Sequence, residues 1–388
     1  MHYFRYRTDS ELSFKELIYN ELYFTSQTEC NDPFDSKSFY EFPNDMVRWQ
    51  RLLGQALKID DTEFKNYLIN ELAKHLCGLP VITFEKLLNE PFLDVAPLNV
   101  LMQSQTLKKM ENAVRDFVKI YLPPSRWFAS FSRSSSDILM WSHYANSHRG
   151  FCLIFQPIGG ELRINHLTRK RNIVRQTPRS FAQQMSFSLP EVFSFTDIDY
   201  CETVEPQNAF RNLTAHIYGN DLNDEQRLEL IHEQDSHFRQ KGRLWQYEEE
   251  SRLILKPPPS FLVGEHVNYT AHERLFQYDS TQLVGIIVGA KMPDKERERI
   301  RHIIQEKKDR DYWGRTEPHV LFDFVLHEAR LSSNQRSIIV EPIEIIGAMN
   351  CKQQDEQFAR RYLNWEDGKG TLIDGNSGKS FDANNDRL

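Results

Sequence analysis

The chain alternates between short apolar runs and longer polar segments, a pattern that predicts a mixed α+β protein. The run at 150–155 is apolar at every position after its glycine, which predicts a strand buried on both faces. Other stretches are shorter or less regular but still favour extended structure. Such strands are predicted at 1–8, 22–26, 126–132, 283–288, 320–326 and 337–340.

Helices are predicted in the polar segments between these runs. Ser13 and Glu16 form a capping-box pattern that opens a short helix, and Ser136 is placed to cap another. Two longer segments, one polar and one strongly charged, are interpreted as helices as well. Helices are predicted at 13–20, 137–145, 206–240 and 295–310.

The pattern divides the chain into three parts. Residues 44–122 have a helical pattern throughout and predict a helical insertion or lid. Residues 1–43 and 123–350 are predicted to form one α+β core on either side of that insertion. Residues 351–388 become polar and rich in glycine, which predicts a surface helix near 354–363 followed by a loose tail.

Composition and charge narrow the class of protein. The chain is 40% hydrophobic and 27% charged, which is typical of a globular protein with a sizeable core. Its formal net charge is −7 and its isoelectric point is about 6.0. This balance argues against a protein that binds nucleic acid over its whole surface, but it leaves room for a local basic site.

One segment departs from this acidic balance. Residues 162–190 contain six basic side chains and no acidic one, which suggests a contact with phosphate or nucleic acid. An ordinary basic loop paired with acidic neighbours accounts for the same pattern, and the sequence by itself favours that alternative. The residues that would make the nucleic-acid contact are Arg169, Lys170, Arg171 and Arg175.

The five cysteines are odd in number, and no two of them form a Cys-x-x-Cys pair. A disulfide framework or a zinc ribbon is therefore not expected, and a reducing cytosol fits better. The N-terminus lacks the apolar core of a signal peptide, and no apolar run is long enough to span a membrane. We expect a soluble cytoplasmic protein without a membrane partner.

Several familiar chemical motifs are absent from the sequence. It contains no Walker A loop, no dinucleotide-binding glycine fingerprint, no Gly-x-Ser-x-Gly elbow and no His-Glu-x-x-His. His143 and His148 are five residues apart, as are His232 and His237, and this spacing does not place both side chains on one helical face. We therefore expect no metal cofactor.

The densest candidate chemistry lies in residues 241–256, which run from a turn into an apolar stretch that predicts a strand. On a strand, Glu248, Glu250 and Arg252 would share a face, with the two carboxylates about 7 Å apart. The guanidinium would stabilise the charged carboxylates, and each carboxylate would raise the pKa of the other. The plainer alternative is an edge strand whose charged face is solvated and discourages aggregation.

Three stretches carry recognisable motifs: 22–26 with Asn31-Asp-Pro-Phe-Asp35, 130–132 with 140–153, and 241–252. Together they resemble a large bacterial family of uncharacterised proteins with Asn-Asp-Pro-Phe-Asp and Trp-x-Tyr-Glu-x-Glu-x-Arg motifs. The layout of that family is similar to the ADP-ribosyltransferase fold, which some phage-defence toxins use. The resemblance implies a split mixed or antiparallel sheet that binds NAD in a cleft, with a Glu-x-Glu motif late in the chain.

The resemblance also implies roles for individual residues. Glu250 would be the catalytic carboxylate, and Glu248 would activate the acceptor or exchange roles with it. Aromatic side chains would stack on the nicotinamide, although ordinary core packing accounts for Trp141 and Tyr144 at least as well. Basic side chains and the turn at 31–32 would meet the pyrophosphate. The implied NAD-binding residues are Tyr3, Arg5, Tyr23, Asn31, Asp32, Ser130, Ser132, Trp141, His143, Tyr144, Tyr247 and Arg252.

The expected function is that of an NAD-dependent ADP-ribosyltransferase toxin. Its acceptor would be a nucleic acid, with RNA favoured, or a protein. The polar tail would be a binding segment for an antitoxin or chaperone. Two alternatives come from other classes. One is a nuclease or hydrolase whose carboxylates hold a metal ion, and the other is a binding protein without catalysis.

Overall fold

The computed structural model describes residues 1–37, 39–43, 48, 126–164, 170–175, 183–188, 190–212, 222–256, 269–314, 324–346, 362–366, 369–373 and 380–381. The helical insertion predicted over 44–122 lies outside the described residues, apart from Arg48. The rest of the chain is a mixed α+β protein, as the sequence predicts.

The strands are short, and the longer strands of the main sheet include the apolar runs of the sequence. The predicted strands near 1–8, 150–155 and 283–288 are present, and the described end of the one at 320–326 belongs to a strand that begins at Val325. In chain order the strands are β1 (Tyr3–Arg7), β2 (Glu21–Tyr23), β3 (Thr25–Ser26), β4 (Tyr40–Glu41), β5 (Trp127–Ser132), β6 (Phe151–Phe155), β7 (Glu161–Arg163), β8 (Lys170–Arg175), β9 (Gln183–Ser188), β10 (Val192–Ser194), β11 (Thr196–Asp197), β12 (Asp199–Cys201), β13 (Gln207–Asn208), β14 (Gln240–Gly242), β15 (Glu250–Leu255), β16 (Leu275–Gln277), β17 (Leu283–Val288), β18 (Val325–Leu331), β19 (Ile338–Ile345), β20 (Tyr362–Glu366), β21 (Lys369–Ile373) and β22 (Ser380–Phe381).

The helices differ more from expectation. In the region predicted as helical over 206–240, the described residues form two helices, with strands at both ends. Short 3-10 helices also occur, and one of them carries part of the candidate site. The α-helices whose bounds the structure describes are α1 (Glu11–Tyr19), α2 (Ile138–Tyr144), α3 (Ala209–Asn212), α4 (Asp224–His237) and α5 (Asp294–Gly314), and the described 3-10 helices are Gln27–Glu29, Arg243–Glu248 and Ser280–Gln282.

Both predicted helix caps are wrong: the cap of α1 lies three residues before the predicted one, and the cap of α2 lies one residue after it. Ser10, not Ser13, caps α1, because its extended backbone lets the side chain accept a hydrogen bond from the Ser13 amide at 3.3 Å. Asp137, not Ser136, caps α2, and its carboxylate accepts from two backbone amides of the first turn. In both cases several neighbouring residues are good caps, so only the backbone conformation selects one of them.

Among the described residues, nine strands form one large sheet. The order is β11-β15-β5-β1-β6-β17-β18-β19, and β3 pairs with β5 beside this path. All neighbouring pairs are antiparallel except β17 and β18, whose parallel pairing spans the crossover that contains α5. The mixed sheet was predicted correctly, and in the described residues its strands are hydrogen-bonded to one another in a single sheet.

The two faces of the sheet are covered differently. On one face, Phe14 of α1 and Ile300 of α5 pack into the larger hydrophobic core. On the other face, Met140 and Trp141 of α2 pack against Phe4 of β1. Because side chains alternate along a strand, the second face is the one on which β5 and β15 present their polar residues.

A tight turn holds α2 close to the sheet. Asn146, Ser147 and His148 all have positive φ angles, between 45° and 70°. A Cβ atom at Gly150 would lie 2.1 Å from the carbonyl oxygen of Arg7, so only glycine permits this approach. The turn therefore fixes the start of β6 against β1 and sets the position of α2.

Two polar segments of the chain contain more strand than predicted. The basic segment forms an antiparallel ribbon of β8 and β9 where the structure describes it. The C-terminal region contains the three-stranded antiparallel sheet β20-β21-β22, where a loose tail was expected. The surface helix predicted near 354–363 falls largely outside the described residues. In the described part of the chain, no helix is both long and apolar enough to cross a membrane.

A buried histidine gives the fold a predictable response to acid. His327 of β18 is 1% exposed, and burial lowers its pKa to about 4, although hydrogen bonds to backbone groups oppose the shift. In the unfolded chain a histidine titrates near pH 6.5. As pH falls from 6.5 through 4, the unfolded chain binds a proton that the folded chain does not. The free energy of unfolding should therefore fall by up to about 3 kcal/mol.

The check is urea denaturation at a series of pH values. His327→Gln should flatten the dependence of the unfolding free energy on pH in this window. His302→Gln, on the exposed side of α5, is the matched control and should keep the wild-type slope. Equal slopes for wild type and His327→Gln would contradict the assignment.

Candidate active site

A cleft of about 420 Å³ opens on the sheet face that carries Phe4. It lies where the ends of β5 and β15 meet α2 and the turn after β3. Its wall combines aromatic, hydroxyl and carboxylate side chains, which is typical of a ligand site. The lining residues are Phe4, Tyr6, Thr25, Glu29, Cys30, Asn31, Asp35, Phe128, Ser130, Phe131, Ser132, Met140, His143, Tyr144, Lys241, Glu248 and Glu250.

The two glutamates reach the cleft by a route that the sequence did not predict. Glu248 ends a 3-10 helix rather than lying on the strand, and β15 begins only at Glu250. Between them Glu249 adopts a left-handed conformation with a φ of 42° and points its side chain to solvent. Both carboxylates therefore contact the ammonium of Lys241, whereas the sequence predicted that they would lie along one face of a strand.

Lys241 is the centre of the acidic cluster. Its Nζ lies 2.5 Å from Glu248 Oε2, 3.0 Å from Glu250 Oε2 and 3.2 Å from Asp35 Oδ2. Burial opposes the charge of this lysine, but the three carboxylates outweigh that effect and raise its pKa. The ammonium therefore stays charged and holds the carboxylates together.

Arg252 lies behind the cleft wall and fixes the same carboxylates from the other side. Its Nε donates to Glu250 Oε1 at 2.6 Å, and its Nη2 donates to Glu250 Oε2 and to Asp35 Oδ2, both at 2.8 Å. Nη1 donates to the hydroxyl of Ser36, and the guanidinium carbon Cζ lies 4.0 Å from the centroid of the Phe128 ring. Such a planar, multiply bonded arginine orients its partners as well as neutralising them.

The environments of the two glutamates push their pKa values in opposite directions. Burial would raise the pKa of Glu250, but Arg252 and Lys241 overcome it and lower the pKa to about 2. Burial raises the pKa of Glu248, and the charge of Glu250 adds to that shift while Lys241 opposes it. When the pKa values of two adjacent carboxyl groups are shifted in opposite directions, one group serves as a fixed negative charge and the other as a proton acceptor.

Hydrogen bonding separates the two glutamates further. A carboxylate has about four acceptor positions. Glu250 uses them on two nitrogens of Arg252, on Lys241 and on the hydroxyl of Ser130. Glu248 accepts from Lys241 and, at 2.5 Å, from the hydroxyl of Tyr144. Glu248 therefore keeps acceptor positions for a ligand, whereas Glu250 is already saturated.

The opposite wall carries another ionised carboxylate. Burial would raise the pKa of Glu29, but hydrogen bonds from Arg274 and Ser26 lower it to about 2. Arg274 donates to Glu29 Oε2 at 2.8 Å and to the backbone oxygen of Phe24 at 3.2 Å. This carboxylate is therefore held at the end of β3 in its charged form.

Part of the chain resembles a known family of proteins. Residues 140–253 match the model of a family described as protein of unknown function (DUF2971). No curated protein and no solved structure matches the chain. The match agrees with the expected likeness to an uncharacterised family.

The DUF2971 match covers one side of the cleft. It includes α2 from Met140 onward, Lys241, Glu248 and Glu250, and it ends just beyond Arg252. The turn at 31–36, which supplies Asp35 and Ser36, lies outside the matched residues. The site is therefore assembled from the matched segment and from a turn more than a hundred residues earlier in the chain.

About half of the residues predicted from the sequence meet in the cleft. Tyr144 donates to Glu248, and the side-chain amide of Asn31 donates to the hydroxyl of Tyr144 at 3.2 Å. His143 is exposed at the cleft, and its ring lies 6.1 Å from that of Tyr247. The predicted residues that line the cleft are Asn31, Ser130, Ser132, His143, Tyr144, Glu248 and Glu250.

Two predicted aromatic contacts lie in the hydrophobic core. Tyr3 is stacked on Phe195 at 3.7 Å, on the opposite face of the sheet. Trp141 is fully buried, and its indole nitrogen donates to the backbone oxygen of Ser135. Strand alternation explains the first case, because Phe4 and not Tyr3 shares the face of the cleft.

Two arginines assigned to the pyrophosphate are engaged elsewhere. Arg5 donates to the backbone oxygen of Ser130 at 3.0 Å and does not line the cleft. Arg252 is fully buried behind Glu250. Both side chains act from behind the wall, where they support the backbone and the carboxylates.

Three other predicted residues support the cleft walls. Tyr23 donates to Glu29 Oε1 at 2.8 Å. Asp32 is buried, and its carboxylate accepts from the backbone amide of Phe34, so it shapes the turn. Tyr247 packs on the smaller core beside α2 and is absent from the lining.

The basic segment is described in part, as backbone strands. Lys170, Arg171 and Arg175 lie on β8, whose backbone pairs with β9. Arg169 lies outside the described residues. Their proposed contact with nucleic acid stays a prediction.

Sequence reasoning missed three charged residues of the site: Glu29, which lies outside the motif stretches, and Asp35 and Lys241, which lie within them. Asp35 was recognised only as the end of the Asn-Asp-Pro-Phe-Asp motif, although it binds both Arg252 and Lys241. Lys241 was recognised only as a motif residue. The signal for Asp35 and Lys241 was present, since both belong to the motif stretches, but their partners are distant along the chain or across a 3-10 helix.

The carboxylates of the cluster are bound by cations of the protein itself. Each of Asp35, Glu248 and Glu250 lies within 3.2 Å of Lys241. Within the described ranges no group of three histidine, cysteine, aspartate or glutamate side chains is placed to hold a metal ion.

Proposed function

We propose that the cleft binds the nicotinamide–ribose end of NAD and that the chain is an NAD-dependent ADP-ribosyltransferase. The observation that carries this proposal is the pair Glu248 and Glu250, which line one cleft with opposite pKa shifts. A positively charged sugar must form briefly when the nicotinamide–ribose bond breaks. A fixed carboxylate beside a second, proton-accepting carboxylate suits that chemistry.

The proposed reaction breaks the nicotinamide–ribose bond, passes through a cationic sugar and then forms a bond to the acceptor. The bond between ribose C1′ and the pyridinium nitrogen breaks, and nicotinamide leaves as a neutral molecule with the electron pair. The oxocarbenium ion that remains is stabilised by the negative charges of Glu248 and Glu250. An acceptor oxygen or nitrogen then bonds to C1′, and its proton passes to Glu248. Tyr144 orients Glu248 through their hydrogen bond.

The fold supports the proposal at a coarse level. A Glu-x-Glu pair stands at the start of a strand beside β5, on a mixed sheet with a cleft above its polar face. An ADP-ribosyltransferase type of sheet is part of the proposal and rests on the motif resemblance.

For the acceptor we propose a nucleic acid, with RNA favoured over DNA and over protein. The support is the ribbon of β8 and β9, which carries Lys170, Arg171 and Arg175 in an otherwise acidic chain. We propose that the protein is a toxin of phage-defence or toxin–antitoxin type. The cell would tolerate such an activity if an antitoxin or chaperone restrained it.

A metal-dependent nuclease would use the carboxylates differently. It would need at least two of them to turn toward a cation, and here Lys241 and Arg252 already occupy those positions. A binding protein without catalysis would need the ion cluster only for stability.

Incubation with radiolabelled NAD tests the proposal. RNA, DNA and cell protein are offered separately, each with and without EDTA. We expect label in the RNA fraction, release of nicotinamide, and no effect of EDTA. Intact NAD in all reactions would refute the transferase, and cleavage of RNA that EDTA abolishes would favour the nuclease.

A further inference from the structure

The wall of the cleft is acidic among the described residues. Glu29, Asp35, Glu248 and Glu250 face it, and Lys241 is the single lysine or arginine in the described lining. Glu29 and Glu250 are held ionised by their arginine partners, with pKa values of about 2. The cavity therefore carries more negative than positive groups.

The cations at this wall are directed at protein carboxylates. Lys241 contacts three of them within 3.2 Å. Arg252 and Arg274 are buried behind the wall and donate to Glu250 and Glu29. A phosphate group in the cavity would face four carboxylates and a single lysine that three of those carboxylates already bind, and like charges at short range repel.

The remaining lining suits a flat cation with hydroxyl groups. Phe4, Tyr6 and Tyr144 present aromatic surface, and such rings attract a cation placed over their faces. Ser130 and Ser132 add hydroxyls on the floor. The volume of about 420 Å³ lies near the lower end of the roughly 300–1,000 Å³ range of ligand pockets.

We propose that the cleft recognises an N-ribosyl pyridinium cation, and that the pyrophosphate and adenosine of NAD remain outside it. This inference rests on the proposed function and narrows its substrate. Nicotinamide riboside carries the whole recognised group and should be a substrate without any phosphate. Reduced nicotinamide riboside has the same shape but no positive charge, so it should be rejected.

The test measures nicotinamide release from NAD, nicotinamide mononucleotide and nicotinamide riboside with the full chain. We expect the three kcat/KM values to agree within about tenfold. Reduced nicotinamide riboside should neither react nor inhibit, and inorganic pyrophosphate should not compete with the riboside. Glu248→Gln should lower all three rates by the same factor, whereas the neighbouring Glu249→Gln should lower none.

The outcomes separate this inference from the proposed function. If NAD is cleaved but the riboside reacts more than about a thousandfold more slowly, phosphate recognition is required and the inference is overturned while the transferase stands. Competition by pyrophosphate or by the reduced riboside would overturn it as well. If no substrate releases nicotinamide, the proposed function and the inference fail together.

Discussion

Glu248→Gln is expected to lower the kcat for nicotinamide release from NAD by about 10²–10³-fold, the usual effect of losing one group that stabilises transition-state charge. The new amide can still accept from Lys241 through its oxygen and donate to the hydroxyl of Tyr144 through its nitrogen. The cluster should therefore stay folded. Kinetics and a thermal melt of the same preparation provide the measurement.

Two further variants make this result specific. Glu249→Gln makes the same chemical change one residue away, on an exposed side chain outside the cleft, and should leave the rate within about twofold of wild type. Glu250→Gln should lower both the rate and the melting temperature, because an amide nitrogen would face the donors of Arg252 or Lys241. Full activity of Glu248→Gln would remove the carboxylate from the mechanism.

Arg252→Met should lower the free energy of unfolding by about 3–5 kcal/mol, the typical result of breaking a buried ion pair by removing one partner. The side chain is fully buried and bonds to Glu250, Asp35 and Ser36. Without it, three buried carboxylates would share the single ammonium of Lys241. Denaturation by urea with a structural probe measures the loss.

Arg243→Met is the matched control for this prediction. Arg243 is nine residues away and exposed, and its ion pair with Glu202 is also exposed. Exposed pairs contribute at most about 1 kcal/mol, so this variant should unfold close to wild type. A loss below about 1 kcal/mol for Arg252→Met would show that the cluster does not hold the fold together.

Strands and helices with strong local patterns were predictable. β6 and β17 are continuous apolar runs, and a run of that kind can be buried only inside a sheet. The charged helix α5 was also expected, within a few residues of its ends. Caps were less predictable, because Ser10, Ser13 and Ser136 are all suitable residues and the backbone decides among them.

The face of a strand was harder to predict than the strand itself. β1 was expected, but Tyr3 and Arg5 were assigned to the ligand when Phe4 and Tyr6 face the cleft. A shift of one residue exchanges the two faces, and β1 contributes to a hydrophobic core on each of them. The alternation of β1 separates Tyr3, Arg5 and Arg7 from Phe4 and Tyr6, but it does not show which of the two sets faces the cleft.

The sequence by itself determined that Glu248, Glu250 and Arg252 belong to one charged site, because they are close along the chain and next to a strand. Only the tertiary structure decided their roles. It brings Asp35 from more than two hundred residues away to Arg252, and it turns Glu248 toward Lys241 through the left-handed Glu249. Spacing along a chain fixes which groups are near neighbours, but burial and distant partners fix which carboxylate is saturated and which is left to bind.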